Sequence, residues 1–565
     1  MKHFTLLSMA ALFALQASAQ TVPGVYPHYA FASISPNAKY AVSDAGDQIP
    51  LAIFDFTQES DPYTYVEQYG VGAGNAVSNN GIVVGYQVMY EKAAYWQNGK
   101  WANLPNKADL SHAQGISADG SMIVGTISGN DYSGDYEGLM SIPCYWEVQE
   151  DGTFGDPQVL PYPTEDYMGR SPQRVTAVMI SEDCNTIAGQ VLDYIGMVCQ
   201  PIIFTRDESG EWSYTLLLDD LFHPAGFSLP EDPGEAPTQQ DFMTEDEIAR
   251  YQQAVKEWEE AGDQEADYPD IYEYMDQKEY DEFEKAALEW NEKYYAYAEA
   301  ILNWIDAVPN FAYNNVCMDL EAQYYATTDV KYYYIEVDDY EFKECTPYLI
   351  NIADDTYKSF APKDDLNITV SAIANNGVVL GQWNDPAYGI YDGYILTPGA
   401  SEFISLYDYV KANDPSLAAW MEENMTHTYE AYDENFKAYD DTVLATGLPK
   451  CCTPDMSIIG LAQVDFWNYD DDVNYYGYLI NPPAPQAGIE AISAGLSAEV
   501  KVLNGGVLLV NGNVRDLNVY GLNGVKAFSA KNPASQVSTN LSKGIYILRY
   551  TDLEGRAVSR KIVIR

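Results

Sequence analysis

Gly115-Ile116-Ser117-Ala118-Asp119-Gly120-Ser121-Met122-Ile123-Val124-Gly125 decides the architecture of this chain, because the chain keeps repeating it. Asp119-Gly120 is a tight-turn dipeptide flanked by short apolar runs, so the unit reads as strand, turn, strand. Imperfect copies occupy Ser35–Val42, Ser78–Gly85, Ser181–Gly189, Met318–Ala326, Ala374–Gly381 and Thr453–Gly460. A second pair of short strands follows each copy, as in Ala94-Tyr95-Trp96 with Trp101-Ala102, and Cys144-Tyr145-Trp146 with Val159-Leu160. Equivalent apolar pairs sit at Ile53-Phe54, Ile203-Phe204, Leu349-Ile350, Ile395-Leu396 and Leu479-Ile480. Repeats of about four strands, about 40 residues apart where nothing is inserted, predict an all-β fold built as a roughly seven-bladed β-propeller.

The last copy lacks a strand: after Leu479-Ile480 the chain enters Asn481-Pro482-Pro483-Ala484-Pro485, which has linker composition. An open edge invites aggregation, so residues Val22 to Tyr29 are expected to supply the outer strand of the final blade. Two segments break the strand rhythm. Thr244-Glu245-Asp246-Glu247 is a capping box followed by Ile248, Tyr251, Val255 and Trp258 on one helical face. Apolar residues from Tyr280 to Val308 keep a three-four spacing until Pro309, which predicts a long amphipathic helix paired with the first as a hairpin. A second insertion follows Phe403-Ile404, with a helix start at Asp414-Pro415 and Leu417, Trp420 and Met421 available to bury. The insertions span about residues 240–309 and 404–440. Both fall between the fourth strand of one blade and the first of the next. Strand alternation puts them on the rim that also carries the loops between second and third strands, and that rim is the expected working surface.

Rim loops combine flat aromatics with amides and carboxylates, a set suited to stacking on sugar rings or holding peptides. The candidate ligand-binding residues are Asp131, Tyr132, Tyr194, Trp383, Asn384, Asp385, Trp467 and Asp470. Acidic runs near Asn130–Glu137 and Asp470-Asp471-Asp472 lack the spaced pattern of an EF-hand, and no metal site is assigned.

Once the repeats are aligned, the unit Ser-x-Asp/Asn-Gly-x-x-Ile/Val-Val/Ala-Gly followed by Ala-x-Tyr/Phe-Trp resembles the extracellular HAF repeats across roughly residues 28–482, and more loosely other secreted propellers. The sialidase Asp-box is not matched at Asp119-Gly120-Ser121-Met122. After the linker (about 483–494) the composition turns basic. Residues 501–565 hold ten basic and three acidic side chains, leaving the preceding chain at −61 of a total −54. Alternating strands with turns at Asn511-Gly512, Asn523-Gly524, Lys543-Gly544 and Glu554-Gly555 predict a small Ig-like β-sandwich over 495–565. Tyr520, Gly524, Leu541, Gly544, Tyr546 and Lys561 fall in the order of the type IX secretion sorting domain, which this module resembles. Gly521 stands where that pattern has aspartate. The resemblance implies export to the periplasm and then passage to the outer-membrane surface or medium, with the type IX machinery as a partner.

The amino terminus agrees with that route. Lys2 and His3 precede an apolar run, Phe4–Leu15, and Ala17-Ser18-Ala19 fits a leader cleavage site after Ala19, leaving Gln20 first. The run is shorter than the about 20 residues a membrane helix needs, and no membrane span is expected. With 84 acidic against 30 basic residues the body repels nucleic acid, which is excluded as a partner. Seven scattered cysteines form no paired framework and read as small core residues. No catalytic constellation is present: there is no H-E-x-x-H, no G-x-S-x-G elbow and no P-loop. Among the scarce histidines, His112 precedes a repeat strand and reads as packed or solvated. The sequence therefore predicts a secreted or cell-surface propeller that binds a glycan or protein, with no catalytic residue and no cofactor. A propeller glycoside hydrolase with paired carboxylates is the alternative.

Overall fold

The computed structural model describes residues 23–564 apart from 28, 44–50, 59–62, 66–70, 88–90, 107–109, 129–139, 167–168, 225–226, 262–267, 336–339, 362–365, 386–389, 433–437, 464–474, 486–497 and, near the carboxy terminus, 504–506, 513, 522–525, 532, 540, 542–543 and 553–556. The leader and its cleavage residues Ala19 and Gln20 lie outside this set.

Each sequence repeat becomes one four-stranded antiparallel blade, and there are seven. Blade 1 is Phe31–Ile34, Tyr40–Ser43, Ala52–Asp55 and Tyr63–Tyr65. Blade 2 is Val71–Val77, Val83–Gln87, Lys92–Gln97 and Lys100–Asn103. Blades 3 and 4 begin at Ser111–Ile116 and Arg174–Ile180, and one parallel bridge between Ser141 and Arg174 joins them into a single eight-stranded sheet. Blade 5 runs from Cys317–Met318 to Thr356–Ser359 and blade 6 from Thr369–Ala374 to Ile404–Ser405. Blade 7 takes Leu448–Cys452, Ile458–Gln463 and Tyr475–Ile480 from the end of the repeats, and its outermost strand is Gly24–Pro27. The missing strand is supplied by the amino terminus, as the edge argument required.

The repeated residues have defined duties. In blade 3, Ser117 Oγ donates to Asp119 Oδ1 (2.7 Å) while Met122 N–H donates to Ser117 Oγ (3.0 Å). The same pair of bonds recurs at Ser35 with Asn37 and Tyr40, and at Ser181 with Asp183 and Thr186. The fourth residue of every turn is left-handed: Ala38, Gly81, Gly120, Cys184, Ala322, Gly377 and Met456 all have positive φ. Turns also bond to the next blade, with Asn37 N–H donating to Asn79 Oδ1 (2.8 Å), Asn79 N–H to Ala118 O (2.9 Å) and Glu182 N–H to Leu320 O (2.9 Å). The closing glycine of the motif answers a bulge in the first strand. A Cβ on Gly125 would stand 2.0 Å from His112 O, and one on Gly189 would stand 1.8 Å from Thr176 O.

The chain divides into two compact units. In the unit Pro27–Ser371, cores lie at the seams between successive blades. Ala93, Tyr95, Ile123 and Trp146 fill the seam of blades 2 and 3, and Trp146 Nε1–H reaches back to Pro105 O (2.9 Å). The seam of blades 4 and 5 buries Leu192, Ile203, Phe222, Phe311 and Tyr325. The first insertion rises from this seam, containing helices Glu245–Ala261 and Gln277–Ala307. Trp304, 2 % exposed, anchors the longer helix there and donates its indole N–H to Phe222 O (3.0 Å). The expected plain hairpin is corrected in one respect. The main neighbours of the two helices within the insertion are 3₁₀ turns, Ile271–Tyr274 for the shorter and Gln239–Phe242 for the longer. Rings mediate the contacts, Tyr251 against Tyr274 (5.7 Å) and Phe242 against Phe283 (5.9 Å). Aromatic rings thus join each helix to its turn.

The other unit, residues through Tyr26 together with Ala372–Arg565, holds most of blade 6, blade 7 and the carboxy-terminal module. Helix Pro415–Asn424 starts as expected, its Asp414 cap accepting from Ser416 and Leu417 N–H. A preceding helix, Leu406–Asn413, and a hairpin, Thr426–Tyr432 with Ala438–Leu444, complete this insertion, which ends at Leu444, close to its expected bound. Leu406, Val410, Leu417 and Met421 pack with Ile395, Tyr478 and Ile480, and Val25 of the closing strand packs on the same cluster. The module is two antiparallel sheets, Ala498–Leu503, Val507–Gly512 and Gln536–Ser538 in one, and Lys526–Lys531, Val514–Gly521, Gly544–Asp552 and Ala557–Ile564 in the other. Val500, Leu508, Val510, Leu517, Val519, Leu548 and Tyr550 form their shared core. Among the described residues no helix is long and apolar enough to cross a membrane. Cys144, Cys199, Cys317 and Cys345 are buried.

Candidate functional site

A polar cavity of about 540 Å³ opens where the first strands of blades 2, 3 and 4 meet the segment leading into blade 5. It lies at the ends of the strands that carry second-to-third-strand loops and blade-to-blade connections, the rim singled out by the sequence. Backbone and side-chain hydrogen bonds pin its walls across three seams. Ser111 N–H donates to Glu91 O (2.8 Å), Met140 N–H to Gln173 O (2.7 Å), and Asn75 Nδ2–H to Ala113 O (2.7 Å). Between blades 4 and 5, the fully buried Gln190 side chain donates to Ala312 O (2.9 Å) and accepts from Asn314 N–H (2.8 Å).

Each functional side chain follows from its strand position. His112 is the second residue of the first strand of blade 3, its backbone carbonyl is held over Gly125, and its side chain lines the cavity. Its ring stacks on Tyr86 of blade 2, with centroids 4.7 Å apart and planes 21° off parallel. Glu91 Oε2 lies 3.9 Å from His112 Nε2. Burial holds the imidazole below its ordinary pKa, with Glu91 pulling it upward and Arg174 downward, which favours the neutral ring at pH 7. Arg174 opens the first strand of blade 4, and its guanidinium stands over the Tyr313 ring at 5.9 Å. Ser111, Thr126, Ser128, Ser141, Thr176 and Gln114 complete a lining rich in hydroxyl and amide groups.

Chemically, the site offers two flat faces, Tyr86 with His112 and Tyr313, one cation, one carboxylate and a ring of neutral polar groups. Glu91 is the one carboxylate among the described residues that line it. No cluster of three or more metal-ligating side chains occurs among the described residues.

The residues singled out from sequence lie elsewhere or outside the described set. Tyr194 follows the second strand of blade 4, is 38 % exposed and does not line the cavity. The Arg170 guanidinium covers its ring at 4.9 Å, and its N–H donates to Asp166 Oδ2 (2.9 Å). Trp383 sits half-buried on the second strand of blade 6, opposite Asp392, and Asn384 and Asp385 end that strand. Asp131, Tyr132, Trp467 and Asp470 lie outside the described residues. Sequence reasoning noticed His112 but read it as packed or solvated, and it passed over Tyr86, Arg174 and Tyr313. Their only mark in the sequence is position, near strand ends or, for Tyr313, in the segment before blade 5, and that becomes visible once blades are laid side by side.

No family model and no curated protein matches the chain. Among solved structures it is similar to a streptogramin B lyase (9 % identity, 81 % of this chain and 95 % of that one, TM-score 0.32). It is also similar to an oligogalacturonate lyase from Vibrio parahaemolyticus (9 %, 83 % and 93 %, TM-score 0.37). A third is the beta-propeller domain of Cps50 (Swd1) from Myceliophteria thermophila (7 %, 62 % and 80 %, TM-score 0.30). Likeness at this level carries no argument about chemistry. The fold rests on the strand pairing described above.

Proposed function

We propose that this chain is a secreted or cell-surface binding protein that takes a saccharide into the cavity between blades 2, 3 and 4. The observation that carries the reading is the lining itself: a stacked Tyr86–His112 pair and the Tyr313 ring beside Ser111, Thr126, Ser141, Thr176 and Gln114. Aromatic faces suit the C–H face of a sugar ring, and hydroxyl and amide groups suit its hydroxyls. A protein ligand fits less well, because the site is concave and polar and a protein interface places an apolar patch at its centre. Hydrolysis by paired carboxylates requires a second acid opposite Glu91, and the described lining supplies none.

Export by the type IX route belongs to the same proposal, as does the Ig-like reading of the module. In support, Tyr520 is the penultimate residue of a module strand with Lys526 over its ring (5.6 Å), and Leu541 and Tyr546 pack on the module core. Gly544 opens the strand that pairs with the one containing Lys561, and Gly524 lies outside the described residues. A glycan array followed by a turnover assay on every hit tests the binding reading. Bound saccharide without product release is expected, and release of product would replace binding with catalysis. Deleting residues 495–565 in a type IX-competent bacterium is expected to trap the chain in the periplasm; undiminished surface delivery would refute the export route.

A further inference from the structure

The site contains unspent hydrogen-bonding capacity of one kind. The Arg174 guanidinium has no ion pair and no hydrogen bond among the described residues; it stands over the face of Tyr313 and acts electrostatically on His112. In a chain with 84 acidic and 30 basic residues, a half-buried guanidinium left without a carboxylate is out of keeping with its surroundings. Two further buried polar atoms along the same lining, His112 Nε2 and Ser141 Oγ, also lack a hydrogen-bond partner. Buried polar groups are ordinarily satisfied, and unsatisfied ones converging on a cavity mark where a ligand supplies the missing partner.

We infer that the cavity selects acidic saccharides, the ligand carboxylate pairing with Arg174 while its ring stacks on an aromatic wall. This rests on the saccharide reading above and sharpens it. Guanidinium is a planar fork matched to a carboxylate, and Tyr313 beneath it orients the fork without competing for its N–H groups. The sugar hydroxyls have Ser141, Thr176, Gln114 and the Glu91 carboxylate as partners. Seam bonds on both flanks, Met140 N–H to Gln173 O and Asn314 N–H to Gln190 Oε1, fix the backbone on either side of Arg174, so the pairing is met by a formed site.

Calorimetric titration of the intact chain tests the inference with matched trisaccharides: galacturonate against galactose, and glucuronate-containing against glucose-only. The acidic member of each pair is expected to bind at least about tenfold tighter. Arg174→Met is expected to bring the two members within about twofold, chiefly by weakening the acidic one. Arg250→Met, on the exposed face of helix Glu245–Ala261, is expected to leave both affinities in place. Equal binding of acidic and neutral members, or a preference that survives Arg174→Met, overturns acid selectivity while the saccharide reading stands. Binding of no saccharide at all removes both. Displacement by sodium sulfate at the same concentration as the trisaccharide identifies a bare-anion site and also overturns the inference. If Arg174→Met does not fold, Arg174→Lys keeps the charge without the fork; a lowered preference is expected, and full retention counts against the fork.

Discussion

At the scale of single residues, the repeat motif is a list of backbone problems with one solution each. Gly125 and Gly189 are glycine because a bulged neighbouring strand puts a carbonyl where Cβ would go. Gly125→Ala is expected to destabilise the chain by about 3 kcal/mol, the upper range for overpacking, and to disturb His112 through its carbonyl. Denaturant unfolding measures the first effect and saccharide titration the second. Asp319 puts a carboxylate where five of the other turns have a serine or threonine hydroxyl and blade 6 has Ala374. It stands where blade 3 has Ser117, is 1 % exposed, and leaves Oδ2 without a hydrogen-bond partner. Burial raises its pKa, outweighing the N–H bonds from Tyr324 and Gln323 that lower it. A raised folded value means that the group's stabilising contribution is complete below the unfolded pKa, about 3.9, and is lost as pH rises through the folded one. Asp319→Asn cannot ionise, so it is expected to gain about 1 kcal/mol at pH 7 and nothing near pH 3. Parallel unfolding curves at the two pH values check this, and a gain of equal size at both would contradict it.

Among the elements, the long helix shows how an insertion is attached to a blade. Its apolar period was legible from Tyr280 to Val308, and Pro309 ended it as expected. What the period could not reveal was the partner. Leu288, Tyr295 and Leu302 share that helix yet are 65, 69 and 60 % exposed, whereas Trp304 is buried in the seam of blades 4 and 5. Trp304→Ala is expected to cost about 4 kcal/mol locally, by loss of its packing and of its bond to Phe222 O. Hydrogen exchange should then speed along Gln277–Ala307 while blades 2 and 3 keep their protection. The closing strand Gly24–Pro27 was foreseen for a different reason: an unpaired blade edge is a general liability whatever residues cover it.

Across the whole molecule, the net charge of −54 sets a self-repulsion that no single ion pair offsets. Several of the ion pairs among the described residues are exposed helix pairs such as Lys278 with Glu282 and Lys285 with Glu289, which contribute little each. The thermal midpoint is therefore expected to rise between about 10 mM and 0.5 M NaCl as the Debye length contracts from about 30 Å to a few ångströms. A midpoint that falls with salt would show that local pairs outweigh the net field. The same field disfavours anionic ligands at a distance, so the choice of an acid would be made at the cavity wall by Arg174.

The sequence alone determined the repeat, the number of blades, the borrowed strand and the places where helices interrupt them. Those features follow from local hydrogen bonding and from period, which are written along the chain. The cavity was decided by tertiary structure. Tyr86, His112, Arg174 and Tyr313 come from four separate stretches, each unremarkable in its own strand or loop, and only the register between neighbouring blades brings them to one wall. Period tells a residue which face of its strand it occupies. It does not tell it which strand will lie alongside, because that depends on seams packed by residues far away in sequence.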